Sequence, residues 1–429
     1  MYRALAGVYG TRMQPLVIEY LRTHTFQQLE DEHGVCARPS ASGDKFSLNY
    51  DQILAKSGDQ VAEQCRGMVI RVDRFDFSQC GPNWQKEIPW KDAVVGDTTV
   101  LAWPMCRFYN FGDPAVAAVN WSDPGLRVYE KVDGTCIICY WDPLHGKWHA
   151  ATRSVPEADL PIRGDDLEIG SMTFAQLFLK ALVANREEAS GKPVDWAVDG
   201  PDKVVHLSKE CTYVFELVSR HNQVVIDYPE PRVYLLAVRH LPTGREAPIE
   251  EVRMEHVRRP MTWPLKNAEA VGAFVNAANP KDLEGAVACD SDFKRMKIKN
   301  LGYVLAHKSK DHVTASPRNA LVAIIAEKID DVVPLVPKDV GDKMLQMQAA
   351  YGKFCSAIDK ASAQFKAEAK GVRKDYALRV RESGLWAPPF FQLWEGKVDS
   401  THAWVRGNYD RDKLPDSSLD TILHFLAAQ

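Results

Sequence analysis

The sequence predicts an α+β protein in which a domain of antiparallel sheets with flanking helices precedes an all-helical C-terminal domain. Short strand-like segments separated by turn residues run from about residue 61 to residue 308. A helical segment at 171–189 interrupts them, with Phe174, Leu177 and Leu182 at near-helical spacing. After residue 319 no strand pattern remains, and apolar residues recur at steps of three, four or seven, which indicates helices.

The predicted strands are rich in β-branched and aromatic residues. They are GMVIRV, VYEKVDGTCIICYW, TYVFELV, QVVIDY, VYLLAVRH, EGAVAC and RMKIKN. Cys136 and Cys139 form a C-x-x-C in the second, but their odd separation on a strand directs the two side chains to opposite faces. We therefore interpret them as strand residues rather than a redox or metal pair.

The C-terminal stretch predicts one long helix, bent at Gly352 and Gly371. Its apolar stripe consists of Met344, Met347, Tyr351, Phe354, Ile358, Phe365, Val372 and Tyr376. Within 353–381, eight Lys or Arg residues stand against three Asp or Glu, which fits either a solvated helix face or contact with an RNA backbone. The sequence thus divides into residues 1–60, a core at 61–310 and a helical domain at 311–429.

The overall composition is that of an ordinary globular protein. Of its 429 residues 45% are hydrophobic and 26% charged, and 53 Lys and Arg face 57 Asp and Glu, which argues against non-specific binding to long nucleic acid. The N-terminus lacks a signal-peptide core, no run is long enough to span a membrane, and nine scattered cysteines suit a reducing cytoplasm. The expected location is therefore cytoplasmic. A P-loop is missing, which argues against a built-in kinase of that type.

One lysine stands out as a candidate nucleophile. Lys131 lies two residues before an Asp-Gly pair in a strand-like run, and a lysine can attack only when part of it is unprotonated. Lys297 and Lys299 share one face of a later strand, either as an exposed edge or as ligands for a polyphosphate. Glu216 lies in an apolar strand and Glu284 precedes a strand glycine, so both carboxylates need a partner, structural or functional.

The ordered set K-x-D-G, strand glutamate, E-G-x-V and K-x-K resembles the motifs of covalent nucleotidyltransferases, the ATP-dependent ligases and mRNA capping enzymes. The closer resemblance, from about residue 41 to the C-terminus, is to the phage-type RNA ligase 1 family, which repairs broken tRNA. It implies a nucleotidyltransferase domain whose nucleophile is Lys131, with Glu216, Glu284, Lys297 and Lys299 as the other catalytic residues. That domain would be formed by the core at 61–310, with residues 1–60 as its N-terminal part.

The resemblance also implies a set of nucleotide contacts and a metal site. The nucleotide contacts carried over are Arg66, Arg107, Tyr109, Glu130, Lys131, Gly134, Arg153, Glu216, Glu284, Lys297, Lys299 and Tyr303. Glu284 and Asp330 are the candidate metal-associated acids. Arg107 stands where the family usually has lysine, and Leu48 stands where it can have tyrosine, with Tyr50 nearby.

The family's chemistry implies ATP and Mg²⁺ or Mn²⁺ as cofactors, and RNA with 5′-phosphate and 3′-OH ends as substrate. Cleaved tRNA is the candidate RNA, the 311–429 domain is the candidate element that recognises it, and a separate end-healing kinase/phosphatase is the candidate partner. Two alternatives stay open at this point. One is a DNA ligase or GTP-dependent capping-type enzyme, although those place an OB-fold after the K-x-K strand; the other is a non-catalytic RNA-binding relative.

Overall fold

The computed structural model describes most of the chain. The described residues are 13–52, 54–75, 77, 80, 84–113, 119–159, 162, 172–193, 200–300, 302–304, 317–327, 329–333, 338–409 and 414–427. The chain divides into two compact units, Met1–Ala306 and His307–Gln429. The predicted boundary between residues 310 and 311 stays a prediction, because it lies outside the described residues.

Fourteen strands occur in the described part of the first unit. In chain order they are β1 Val35–Pro39, β2 Lys45–Tyr50, β3 Arg66–Arg71, β4 Thr99–Ala102, β5 Tyr109–Asn110, β6 Arg127–Glu130, β7 Thr135–Asp142, β8 Lys147–Ala151, β9 Cys211–Val218, β10 Arg232–His240, β11 Arg245–Ala247, β12 Thr262–Trp263, β13 Gly285–Cys289 and β14 Arg295–Lys299.

These strands form three sheets, with the orders β1-β2-β3-β4, β11-β10-β9-β7-β8 and β12-β6-β13-β14-β5. All neighbours are antiparallel except β14 and β5. This confirms the predicted sheet-based class. The first two sheets pack together through a small apolar cluster in which Val69 of β3 meets Ile138 and Tyr140 of β7.

Helices cover the outer faces of these sheets or form the second unit. In chain order the α-helices are α1 Leu16–Leu21, α2 Phe26–His33, α3 Gln60–Gln64, α4 Trp84–Glu87, α5 Phe174–Ser190, α6 Ala268–Ala277, α7 Pro317–Ile325, α8 Ile329–Val332, α9 Lys338–Ala369, α10 Arg373–Glu382, α11 Phe390–Trp394, α12 Thr401–Tyr409 and α13 Asp416–Ala427. None of the described helices is both long and apolar enough to cross a membrane.

Helix α5 shows why these segments fold as they do. Thr173 caps its N-terminus in a capping box with Gln176, and Gly191 ends it in the left-handed region at φ 65°. Its predicted start at residue 171 lies outside the described residues. Leu177 and Leu182 are fully buried against the second sheet, and each contributes roughly 1.5–3 kcal/mol by burial.

Three sequence predictions about elements are wrong in detail. The run VYEKVDGTCIICYW is two strands, β6 and β7, in different sheets. The segment QVVIDY is a loop rather than a strand. The predicted single helix ends at Ala369, because Lys370 and Gly371 both have positive φ, and Val372 is 49% exposed instead of buried.

Candidate active site

Lys131 lies in the short link between β6 of the third sheet and β7 of the second sheet. Its backbone N–H donates to the carbonyl of Gly285 at 2.9 Å, which fixes the link against β13. Its side chain reaches Glu284, with Nζ 2.7 Å from Oε1. The position that the sequence predicts for the nucleophile is therefore a fixed connection between two sheets, and its amine faces a carboxylate.

Glu284 and Gly285 join this lysine to β14. Glu284 is buried, and its Oε1 also lies 3.4 Å from Nζ of Lys299, so one oxygen contacts two ammonium groups. A Cβ added at Gly285 would lie 2.3 Å from the carbonyl oxygen of Ile298. The E-G pair therefore combines a charged partner for the lysines with a close approach of two strands that only glycine permits.

Glu216 is a second carboxylate beside the same lysine. It lies on β9, paired with Cys136 of β7, and is partly buried. Burial raises its pKa to about 7, although nearby Lys131 and Arg66 lower it, while Glu284 raises it further. A carboxyl group that titrates near neutrality beside a candidate nucleophile is typical of an active site.

Asp133 holds the link in place, and it is not among the site residues that the sequence predicts. It is buried; Oδ2 accepts hydrogen bonds from the N–H groups of Val225 and Ile226 at 3.0 and 2.9 Å, and Oδ1 accepts one from the Tyr303 hydroxyl at 2.8 Å. The neighbouring Gly134 passes so close to β9 that a Cβ would lie 2.3 Å from the carbonyl oxygen of Leu217. The Asp-Gly pair is thus a scaffold for the lysine.

A group of basic side chains surrounds Tyr50 at the end of β2. The guanidinium of Arg107 lies 4.3 Å from the centre of its ring and that of Arg153 5.5 Å. Burial alone would raise the pKa of Tyr50, but Arg153, Arg66, Lys297 and Arg107 together lower it. Two predicted nucleotide contacts, Arg107 and Arg153, therefore lie over the ring of Tyr50, and Arg66 and Lys297 act on its charge as well. The family resemblance places Tyr50 only near a position where the family can have tyrosine.

Aromatic residues on the β5 segment support two of these cations. Arg66 lies over the ring of Phe108 at 5.2 Å, and Arg107 lies over that of Tyr109 at 4.8 Å. The Tyr109 hydroxyl also donates to Glu63 at 3.2 Å. Phe108 is not among the predicted residues, because the family resemblance carries over only Arg107 and Tyr109 from this segment.

Three further predicted residues occupy different places. The Glu130 carboxylate accepts a hydrogen bond from the Met261 N–H at 3.3 Å, and burial raises its pKa. Tyr303 directs its hydroxyl to Asp133. Asp330 lies on α8 of the second unit, so its role in metal binding stays a prediction.

The arrangement suits a polyphosphate ligand. The Lys131 amine contacts the Glu284 carboxylate, and the neighbouring lysines and arginines provide several positive charges for phosphate oxygens. Glutamate oxygens are the hard ligands that Mg²⁺ and Mn²⁺ prefer, and both lysine contacts of Glu284 use the same oxygen. The donor set therefore fits a divalent cation beside a bound polyphosphate.

Comparison with known proteins identifies relatives. No protein-family model matches the sequence. The chain is 26% identical over 324 residues to the putative bifunctional polynucleotide kinase/RNA ligase of Autographa californica nuclear polyhedrosis virus, covering 72% of this chain and 40% of that protein. It is 23% identical over 405 residues to the RNA ligase of Rhodothermus phage RM378, covering 79% of this chain and 83% of that protein.

A solved archaeal ATP-dependent RNA ligase covers 96% of this chain and 80% of its own, at 13% identity and a TM-score of 0.35, which is too low to establish a shared fold. The chain spans less than half of the baculovirus relative and most of the phage relative. Its sequence is thus related to viral RNA ligases, and the RNA ligase resemblance drawn from its motifs is confirmed.

Proposed function

We propose that this chain is an ATP-dependent RNA ligase that joins RNA 3′-OH and 5′-phosphate ends through a lysyl-AMP intermediate. The observation that carries the proposal is the position of Lys131, fixed between two sheets with Nζ 2.7 Å from a buried Glu284. Ion pairs alone do not require a lysine on a rigid inter-sheet link, whereas attack on a bound phosphate does.

In the first step, the lone pair of Lys131 Nζ attacks the α-phosphorus of ATP. A P–N bond forms, the bond from that phosphorus to the bridging oxygen breaks, pyrophosphate leaves with the electron pair, and the amine loses a proton. Lys297, Lys299 and Arg153 offset the charge that develops on the phosphates. Arginine at position 131 would stay protonated and could not attack.

In the second step, an oxygen of an RNA 5′-phosphate attacks the phosphorus of lysyl-AMP. A P–O bond forms, the P–N bond breaks, and the lysine nitrogen regains a proton, leaving a 5′-5′ adenylylated RNA end. In the third step, an RNA 3′-hydroxyl attacks the 5′-phosphorus of that end, loses its proton and expels AMP. The strand is then sealed by a phosphodiester bond.

A divalent cation, Mg²⁺ or Mn²⁺, would neutralise charge on the phosphates of bound ATP. Glu284 is the candidate ligand in the first unit, since its carboxylate lies beside the nucleophile. Asp330 of the second unit is the alternative that the family resemblance suggests.

The RNA is proposed to carry cleaved ends, with tRNA as the candidate. The basic residues within 353–381 support a role of the helical unit in contacting its backbone. Lys353, Lys360, Lys370 and Lys374 are exposed, whereas Arg379 pairs with Glu368. A cytoplasmic setting is proposed because all nine cysteines are free.

The joining reaction is tested with a 5′-labelled, 5′-phosphorylated single-stranded RNA, ATP and Mg²⁺. We expect circular or dimeric RNA from the wild type and none from Lys131→Ala or Lys131→Arg. The matching oligodeoxynucleotide tests the DNA ligase alternative. Joining of DNA in preference to RNA, or no joining by a protein that adenylylates itself, would contradict the proposal.

A separate end-healing enzyme is also proposed as a partner, because breaks that leave a 2′,3′-cyclic phosphate and a 5′-hydroxyl offer neither end that the reaction needs. The baculovirus relative is named as a kinase and ligase in one protein. We expect RNA with unhealed ends to be joined only after treatment with a polynucleotide kinase/phosphatase. Joining of unhealed ends by this chain alone would refute the partner.

A further inference from the structure

A second cluster of ligand-type side chains lies at the far end of β7. Asp142 ends that strand, His145 lies in the turn that follows, and His149 lies on β8. One oxygen or nitrogen from each lies within 4.8 Å of the others. Thr135, at the start of β7, is about 23 Å away by the rise of an extended strand, so this cluster is separate from the site around Lys131.

The two histidines direct one ring nitrogen each to the same carboxylate oxygen. His145 Nδ1 lies 2.7 Å from Asp142 Oδ2, and His149 Nε2 lies 3.6 Å from it. Among the described residues, His149 Nε2 is buried without a hydrogen-bond partner, and its side chain is 8% exposed. A buried imidazole nitrogen aimed at a carboxylate beyond hydrogen-bond distance is in the position of a metal ligand.

The surrounding groups hold these ligands in place. His149 Nδ1 lies 3.2 Å from Glu157 Oε1, so a proton on Nδ1 points to a carboxylate and leaves Nε2 as the lone-pair nitrogen. Arg71 and the N–H groups of Leu144 and His145 donate to Asp142 Oδ1. Oδ2 faces the two histidines and, at 3.5 Å, Lys45 Nζ. Carboxylate–histidine pairs of this kind are the usual outer partners of protein zinc ligands.

The charges of the cluster favour a cation. Three carboxylates, of Asp44, Asp142 and Glu157, face two cationic side chains, of Lys45 and Arg71, which leaves one net negative charge. Lys45 Nζ lies 3.5 Å from Asp142 but 3.1 Å from Glu157 and 3.3 Å from Asp44. It therefore keeps two partners when a metal ion takes its place beside Asp142.

We propose that Asp142, His145 and His149 form a binding site for a divalent transition-metal ion of the Zn²⁺ type. Two imidazole nitrogens and one carboxylate oxygen suit Zn²⁺ or Co²⁺ rather than Mg²⁺, and a water completes a four-coordinate site. The His145 side chain is 43% exposed, which gives the ion a path from solvent. The bound ion clamps the β7–β8 hairpin, which Arg71 in turn ties to the first sheet.

The test uses the full chain stripped with EDTA and titrated with Co²⁺, followed by visible absorption. We expect one equivalent of Co²⁺ to produce the bands of a four-coordinate ion, and Zn²⁺ to displace it. His145→Asn should weaken binding by at least about 100-fold, and Glu157→Gln by about 10–100-fold through loss of ligand orientation. His206→Asn, an exposed histidine outside the cluster, is the matched control and should bind as the wild type does.

The exposed position of His145 makes its variant the safe one if substitution of buried His149 prevents folding. Self-adenylylation with Mg²⁺ should be the same in His145→Asn and the wild type, so failure of this site and failure of the ligase proposal give different results. Absence of four-coordinate bands, or equal Co²⁺ affinity in His145→Asn and wild type, would overturn the proposal and leave a structural ion-pair cluster.

Discussion

The aspartate of the K-x-D-G motif should stabilise the active site without touching the nucleotide. Asp133 is buried and accepts three hydrogen bonds, from Val225, Ile226 and Tyr303. Asp133→Asn keeps the shape of the side chain, with the amide oxygen toward the N–H groups of Val225 and Ile226 and the amide nitrogen toward the Tyr303 hydroxyl. Each bond then loses its charge assistance, about 1 kcal/mol apiece, so we expect a loss of about 3 kcal/mol.

Tyr303→Phe removes only one of these bonds and should cost about 1.5–2 kcal/mol, because it takes away a donor to a charged carboxylate. The two substitutions share that bond, so the double variant should fall short of the sum by about 1 kcal/mol. The same pair tests the role predicted for Tyr303. If its hydroxyl acts through Asp133, Tyr303→Phe lowers stability while the KM for ATP changes less than twofold.

The assay is hydrogen exchange of the amides at Val225 and Ile226, together with urea unfolding followed by tryptophan fluorescence. A loss of 3 kcal/mol corresponds to about 150-fold faster exchange at these amides in Asp133→Asn. Exchange within threefold of the wild type would refute the scaffold role. A raised KM for ATP in Tyr303→Phe at unchanged stability would instead place that hydroxyl on the nucleotide.

Three further predictions concern other residues of the candidate active site. Gly285→Ala should reduce self-adenylylation at least tenfold and lower the melting temperature, because the added Cβ would lie 2.3 Å from a carbonyl oxygen. Gly272→Ala is the control and should do neither, because its added Cβ would meet open space. Equal behaviour of the two variants would contradict the close approach at Gly285. Glu216 has a pKa raised to about 7, so the folded protein holds its proton more tightly than the unfolded chain and loses stability as pH rises from about 5 to 7. The stability of Glu216→Gln relative to the wild type should therefore increase as pH rises from about 5 to 7, and reach at most about 3 kcal/mol at pH 8. Urea unfolding of both proteins at several pH values measures this difference. A difference that does not change with pH would refute the effect of burial on the Glu216 pKa. Tyr50→Leu should raise the KM for ATP about tenfold, because it removes the ring over which Arg107 and Arg153 lie. Tyr50→Phe keeps the ring and should leave the KM unchanged. Equal KM values for the two variants would show that the ring does not hold these arginines in place.

Much of the fold could be predicted from local patterns. The strands around Glu216 and Lys297 have the β-branched residues and turn boundaries that the sequence shows, and α5 has its cap residue and terminal glycine. Such signals are contained within a few residues. The loop at 223–228 was predicted wrongly because its apolar residues suit a strand, whereas the N–H groups of Val225 and Ile226 donate to a distant aspartate.

The candidate site was predictable in its residue types but not in its geometry. Spacing within a motif placed Lys131 at a turn, yet nothing local indicated that the turn connects two sheets. Similarly, Tyr50 and Arg153 lie about a hundred positions apart in the chain, and only the packing of the first two sheets brings them together. In the sequence alone an Asp-Gly pair indicates a turn, so nothing local shows that the Asp133 carboxylate holds the link in place.

Transfer of label from α-labelled ATP to the protein tests whether Lys131 is the nucleophile. Wild type is incubated with labelled ATP and Mg²⁺ beside Lys131→Ala, and the modified peptide is located by mass spectrometry after measuring the intact mass for AMP already bound. We expect one AMP per chain on Lys131, released by pyrophosphate, and none on the variant. Label on another residue, equal label on Lys131→Ala, or no AMP on a wild type that arrives unmodified would contradict it.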